Sequence, residues 1–279
     1  MKAIVVGGGI IGLSTALYLK KSGWDVAVID KGDFSDNCSF GNCGYICPSH
    51  FIPLATPGVV KQGFKWMWNS TSPFYVQPRF DLNLINWGMK FIRSATKSHV
   101  ENAAAPLRDI ALISQKEYES WLALPEFDFA YEHKGLLEIF QTEKGSEHAK
   151  HTVEKAHQLG LSDTLLLNQD ELKALEPQTK LNAMGAILFK CDAHCWPNKL
   201  MKQLNEYLRK QQLQFIANEE VVGFEKSGKK IKSVSTINTY TGKKNVYEGD
   251  EIIIATGSWS RGVAALLETK LPMMPGRGY

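Results

Sequence analysis

The sequence predicts an α/β fold: a parallel-sheet domain assembled from both ends of the chain, with an α+β domain inserted between them. Three observations predict it. A short apolar run, Ala3 to Val6, leads into closely spaced glycines and then a helical stretch. A second apolar run, Trp24 to Asp30, ends in an acid. Far away, Asp250 to Trp259 is a third such run, ending in Ala-Thr-Gly.

Ala3 to Val6 reads as a buried parallel strand, because parallel strands covered on both faces are continuously apolar. Gly7, Gly9 and Gly12 follow with G-x-G-x-x-G spacing, and Ile10 to Gly23 reads as a helix. The first glycine permits the tight turn, the second lets backbone approach a pyrophosphate, and the third packs helix on strand. The pyrophosphate then meets the free N–H groups and the positive end of the helix dipole. Asp30 stands eighteen positions after Gly12, placed to accept hydrogen bonds from an adenosine ribose. This is the pattern of a Rossmann-like dinucleotide-binding unit. Its expected cofactor contacts are Val6, Gly7, Gly8, Gly9, Ile10, Ile11, Gly12, Asp30 and Lys31. A secretory signal is not expected: three consecutive glycines interrupt the apolar stretch, and no small-residue cleavage site precedes Lys20-Lys21. No segment offers the roughly 18 consecutive apolar residues of a membrane-spanning helix.

Composition agrees with an ordinary globular protein. A net charge of +3 over 279 residues gives no basis for nucleic-acid binding, and no basic run is interleaved with aromatics. Five cysteines, an odd number, suit a reducing compartment better than a disulfide framework, so a cytoplasmic location is expected. Cys38, Cys43 and Cys47 are spaced C-x4-C-x3-C, which departs from the plant-type iron–sulfur run and lacks a nearby fourth cysteine. Cys191, His194 and Cys195 crowd into five residues without a second pair. No metal site is expected.

The stretch Lys31 to Pro48 is too long for a simple turn. Such a loop at the carboxyl ends of parallel strands lies over the cofactor, where Ser39, Asn42 and Gly44 suit close approach. Phe64 to Phe91 is aromatic-rich, holding Phe64, Trp66, Trp68, Phe74, Tyr75, Phe80, Trp87 and Phe91. It is expected to pack the insertion onto its parent domain. Ala104 to Leu122 has helical periodicity, and Phe127 to Gln141 has strand-like alternation. Thr142 to Gly160 reads as a capped helix, as does Asn168 to Leu175 on a smaller scale. Gly185 to Lys190 is a strand, Pro197 opens a helix to Gln212, and Gln214 to Ala217 is a strand. Val221 to Val246 forms short antiparallel strands, and Val221 and Val222 are included among the cofactor contacts. The late strand delivers Ala255, Thr256, Gly257 and Trp259 as a second backbone approach, which favours FAD over NAD. The expected division is residues 1–75 and 195–265 for the cofactor domain, with 76–194 and 266–279 for the substrate domain.

Taken together, GGGIIG, CSFGNCGYICP and IIIATGSWS resemble the FAD-dependent D-amino-acid oxidase superfamily, and within it the bacterial D-amino-acid dehydrogenases. Cys38 and Cys43 depart from that group's small residues in the loop. Ala55-Thr-Pro-Gly58 with Phe64-Lys-Trp-Met67, and Pro272 to Tyr279 ending Gly276-Arg277-Gly278-Tyr279, also resemble it. The resemblance implies a discontinuous, glutathione-reductase-like FAD domain. It implies oxidative deamination of D-amino acids, or of a D-configured cyclic imino acid such as hydroxyproline, by hydride transfer to flavin. Electrons would pass to a quinone or carrier. Contact with a second subunit, or peripheral contact at the inner membrane, is compatible with it. Family members run on well beyond this Gly-Tyr, so the chain is expected to be incomplete at its C-terminus, lacking most substrate-carboxylate ligands. A neutral amine needs no side-chain base, so the only catalytic candidates are Tyr45 and His50, which follow the flavin loop. The alternative is a chain that binds FAD, or its ADP half, without turnover, or a subunit completed by another chain.

Overall fold

The computed structural model describes residues 1–59, 63, 79–228 and 230–276. The chain enters as β1 (Lys2–Val6), crosses through α1 (Ile10–Lys21) and returns as β2 (Asp25–Ile29). Lys20 and Lys21 sit in the last turn of α1, where cations complement the helix dipole. A long loop leads to the two-residue β3 (Tyr45–Ile46). Next come α2 (Leu82–Ser94) and α3 (Lys97–Leu122). Asp81 caps α2 by accepting from the N–H groups of Asn83 and Leu84, and Thr96 caps α3 by accepting from His99. That cap is why α3 starts before the expected Ala104: its first turns are too polar to register as apolar periodicity.

The middle continues through β4 (Leu136–Phe140), α4 (Glu143–Gln158), β5 (Leu165–Asn168), α5 (Gln169–Leu175) and β6 (Gly185–Phe189). Thr142 caps α4 as expected, and Asn168 forms a reciprocal capping box with Glu171 on α5. The strand expected over Phe127 to Gln141 is shorter. Only Leu136–Phe140 joins a ladder, while Glu132 makes a single bridge to His194. The apolar alternation of Phe127, Phe129 and Tyr131 serves side-chain packing instead. The chain then forms β7 (Ala193–His194), α6 (Pro197–Lys210), β8 (Gln214–Ile216), β9 (Glu219–Ser227), β10 (Lys230–Asn238), β11 (Lys244–Glu248), β12 (Glu251–Ile254) and α7 (Ser260–Ala265).

Four strands from distant parts of the sequence form one parallel sheet in the order β12-β1-β2-β8. Both faces are covered, and alternate residues serve each. Ala3 and Val5 share a core with Leu13 and Leu17 of α1 and with Leu200, Met201, Leu204 and Leu208 of α6. Ile4 and Val6 pack on the other side with Ala27, Ile29 and Ile216, against Val234 and Phe224 of the antiparallel sheet β11-β10-β9. Each fully buried aliphatic side chain stabilises this sandwich by roughly 1.5–3 kcal/mol.

A second antiparallel sheet, β4-β6-β5, packs Ile187 and Phe189 against Ala149, Val153 and Ala156 of α4, with Phe51 and Ala104. The first core runs across the expected boundaries: Trp121, Phe127, Phe129 and Ala193 belong to the same cluster as Val5 and Leu13. The aromatic stretch is described only in part. Phe64, Trp66, Trp68, Phe74 and Tyr75 lie outside the described residues, as do Arg277, Gly278 and Tyr279. Phe80 is 90% exposed, and α2 buries none of its residues; Trp87 and Phe91 pack mainly on each other. Among the described residues, no helix is long and apolar enough to cross a membrane.

Candidate functional site

The carboxyl ends of β1, β2 and β12 converge on the glycine turn. Gly7 donates to the Ile29 carbonyl at 2.8 Å, and Ala255 donates to the Val6 carbonyl at 2.8 Å, so backbone closes around the turn from both sides. Gly7 takes φ +112°, and a Cβ there would lie 2.4 Å from the Ala255 oxygen. A Cβ on Gly12 would lie 1.8 Å from the Gly7 oxygen, which is the close helix-to-strand approach expected of the third glycine. Gly8 is equally constrained, since its Cβ would meet the Phe34 ring at 2.4 Å. Gly9 differs: it has ordinary extended backbone, and a Cβ there would meet only the Ser39 hydroxyl, at 3.2 Å.

Asp30 points back into this turn. Its carboxylate accepts from the Gly8 N–H at 2.6 Å and the Gly32 N–H at 2.8 Å, so it fastens the turn in addition to any ribose contact. The loop after it folds over the start of α1. Ser39 Oγ accepts from the Ile10 N–H at 2.9 Å, doing from a distance what an adjacent cap would do, because Gly9 has no side chain. Leu13 already donates to Gly9, so among the described residues the N–H groups of Ile11 and Gly12 remain as free donors of the first turn. Asn37 was not anticipated. It accepts from the Ser39 N–H at 2.8 Å and donates to the Gly8 carbonyl at 3.2 Å, tying loop to glycine turn. Its spacing two residues before Ser39 is the signature of an Asx turn. Asn42 donates to the Ser39 carbonyl at 2.8 Å and accepts from the Gly44 N–H at 2.8 Å. Gly44 presses on the Cys195 backbone, where a Cβ would come within 2.1 Å of the carbonyl oxygen.

The junction of β8 and β9 reaches the end of β2. Glu219 donates its N–H to the Asp30 carbonyl at 2.9 Å, which brings Val221 and the half-exposed Val222 near the end of β2. The Glu219 carboxylate is buried, and burial works to raise its pKa. Hydrogen bonds from Thr236, Asn238 and Asn245 outweigh burial and hold the carboxyl below its ordinary range. Across the crevice, the Lys31 ammonium sits 4.1 Å from the centre of the Trp259 ring. Thr256 and Ser260 hydroxyls are bonded at 3.1 Å beside Gly257. The structure therefore brings Gly7 to Gly12, Asp30, Lys31, Ser39, Ala255 and Trp259 to one end of the parallel sheet.

Tyr45 and His50 lie further along. Tyr45 is 65% exposed and pairs with His194 across β3 and β7. His50 is exposed, with Nδ1 3.2 Å from the Ser49 hydroxyl. Ser49 in turn donates to the buried Asp192 at 2.5 Å. The cysteines separate by environment: Cys38 and Cys43 are exposed, whereas burial and the Asp192 charge push the Cys47 thiol up to about 12. Burial alone pushes Cys195 up to about 11. A cavity of about 50 Å³ beside Ser39, Asn42, Tyr45 and Tyr118 marks the inner side of the loop.

Comparison with known proteins decides the family, because residues 2–279 match the FAD dependent oxidoreductase family (DAO). The chain belongs to that family. It is 32% identical over 288 residues to a D-amino acid dehydrogenase of Helicobacter pylori, covering 100% of this chain and 65% of that protein. A D-amino acid dehydrogenase of Neisseria meningitidis is 28% identical over 283 residues, with 100% and 66% covered. Among solved structures, glycine oxidase from Geobacillus kaustophilus superposes with a TM-score of 0.64 at 17% identity, covering 95% of this chain and 58% of that one. The chain thus spans about 65% of the length of the curated relatives it matches. FAD is the cofactor of the family, and the glycine turn fits it: Gly9 leaves room where backbone crowds Gly7 and Gly12 and the Phe34 ring crowds Gly8, and the Ile11 and Gly12 N–H groups of the same turn are free among the described residues.

Proposed function

We propose that the chain forms the FAD-binding part and a portion of the substrate side of a dehydrogenase that oxidises D-amino acids. In this reading residues 1–75 and 195–265 make a discontinuous, Rossmann-like FAD domain, and residues 76–194 and 266–279 make an inserted substrate domain. The parallel sheet joining β1, β2, β8 and β12 supports the first half of that division. The observation that carries the cofactor assignment is the open backbone at Gly9 beside the Ser39 hydroxyl. The Ile10 N–H finds the Ser39 oxygen there. A phosphate oxygen would compete for that donor and gain the Ser39 hydroxyl and the Ile11 N–H as further donors. Lys31, held over Trp259, adds positive charge at the same edge.

The names of the Helicobacter and Neisseria relatives supply the substrate class, an amino acid of D configuration. A D-configured cyclic imino acid such as hydroxyproline is the narrower option, with electrons leaving to a quinone or carrier. FAD, when bound, would supply the hydride acceptor that the side chains lack for oxidation at the carbon bearing nitrogen. In this reading the chain's own task is to hold the substrate and exclude water, with Tyr45 and His50, after the loop, as the candidates to contact it. A second reading rests on the 65% coverage of the relatives: the chain binds FAD, or its ADP half, and turns over only when another chain completes the substrate side.

One experiment separates them. Purified protein should be yellow and should bleach anaerobically on addition of D-alanine or D-hydroxyproline, while L-alanine leaves the spectrum unchanged. Yellow protein that bleaches with none of them supports the second reading, and colourless protein that takes up no added FAD overturns both.

A further inference from the structure

Cys47, His50 and Asp192 meet in space, although they stand in two separate cysteine-rich stretches of the sequence. The first two come from one turn. His50 donates its N–H to the Cys47 carbonyl at 3.1 Å, so Cys47-Pro48-Ser49-His50 closes on itself and holds a C-x2-H pair, a metal-chelating spacing. The third arrives from far away, because β3 pairs with β7 and sets Ile46 opposite Ala193, next to Asp192. The Cys47 sulfur, a His50 ring nitrogen and an Asp192 carboxylate oxygen all lie within 4.8 Å of one another.

Asp192 supplies the independent observation. It is 0% exposed, yet every donor that reaches it is neutral: the Ser49 N–H at 3.0 Å, the Ser49 hydroxyl at 2.5 Å and the Cys191 thiol at 3.4 Å. Among the described residues no lysine or arginine pairs with it. A buried carboxylate is normally matched by a cation or a metal. The Ser49 contacts are also the outer hydrogen bonds that a ligating carboxylate requires to be held in place.

We propose that Cys47, His50 and Asp192 form a three-ligand site for a zinc-like divalent cation, with a fourth position open to water beside the exposed His50. One thiolate, one imidazole and one carboxylate are the donor types that suit zinc. The thiol proton leaves to solvent as the sulfur–metal bond forms, and the two anionic ligands then neutralise the dication. Bonds of roughly 2.0–2.3 Å imply ligand atoms about 3.3–3.8 Å apart, so the site closes by about 1 Å. Rotation of the exposed His50 side chain can supply that movement. The site also revises the expectation of no metal: spacing within each cysteine cluster gives no sign of it, because the ligands are shared between them.

The test uses Co²⁺ as a spectroscopic probe on the chelator-treated chain, read as a difference spectrum. One equivalent should produce a thiolate-to-cobalt charge-transfer band and four-coordinate visible bands, both removed by one equivalent of Zn²⁺. Cys47→Ser should abolish the charge-transfer band, and His50→Ala should weaken binding by at least roughly tenfold. Cys38→Ser and Cys43→Ser should leave the band intact. His50 is exposed, so its variant keeps the fold, checked by circular dichroism, and carries the test even if Asp192→Asn does not fold. No band at one equivalent, a band that survives Cys47→Ser, or unchanged affinity in His50→Ala would overturn the proposal.

Discussion

The two ends of the sequence and its middle meet water differently. In the parallel sheet, Ala3, Ile4 and Val5 are completely buried, and both faces of the sheet are covered by elements drawn from the chain's own ends. In the middle, α2 buries nothing, and apolar side chains stand in solvent: Leu82 at 70%, Ile110 at 66% and Ile113 at 61% exposed. Both regions contain apolar periodicity, and the middle builds its own core around Ile187 and Phe189, but α2 and the outer face of α3 leave theirs uncovered. Periodicity tells which face a helix would bury; it carries no information about whether a partner reaches that face.

The comparison can be broken at the glycine turn. Gly12→Val should abolish folding of the parallel-sheet region, because its Cβ would stand 1.8 Å from the Gly7 oxygen. The cost should exceed about 4 kcal/mol, seen as loss of the cooperative thermal transition. Leu204→Ala, in the core beneath the same sheet, should cost about 2–5 kcal/mol and lower the denaturation midpoint without altering the spectrum of bound flavin. At Glu219 the effect is smaller and depends on pH. Its carboxyl titrates below the ordinary 4.5 in the folded protein, so the stabilisation is present above that value and drains away as pH falls through the folded pKa. Glu219→Gln should cost roughly 1–3 kcal/mol at neutral pH, and its deficit should shrink in acid, as urea titrations at two pH values would show.

Gly9→Val sharpens the contrast from the other direction. It occupies ordinary backbone space, so the fold should persist, while FAD content falls at least tenfold in the purified protein. Retention of full FAD content would remove the cofactor from this turn. Smallest of all, Ile110→Ser should shift stability within about 0.5 kcal/mol, because the side chain leaves one solvated state for another. A larger loss on chemical denaturation would mean that the middle is better packed than its exposure indicates.

Local chemistry made part of this architecture legible. The glycine spacing, the caps at Thr142 and Asn168, and the proline opening α6 each act within a few residues, so sequence order is also spatial order. Long-range meetings left no such trace. Phe34 blocking Gly8, Asn37 bridging to the glycine turn, and Trp121, Phe127 and Phe129 joining the core of the parallel sheet are products of tertiary packing. Phe127 and Phe129 alternate as strand residues do, but their partners are rings and helices, with centroids 6.4 Å apart. The glycine turn was thus readable because its residues are contiguous in the sequence. Asp192 was not, since nothing beside it in the sequence announces that Ser49 will reach it.

The pairing of Val6 with Ile254 has a consequence for how the protein is made. The glycine turn is synthesised before the strand that closes it, which follows 248 positions later (254 − 6). At roughly 5–20 residues per second, the interval is on the order of 10–50 seconds. Through that time the N-terminal strand has one edge unpaired and the crevice has one wall.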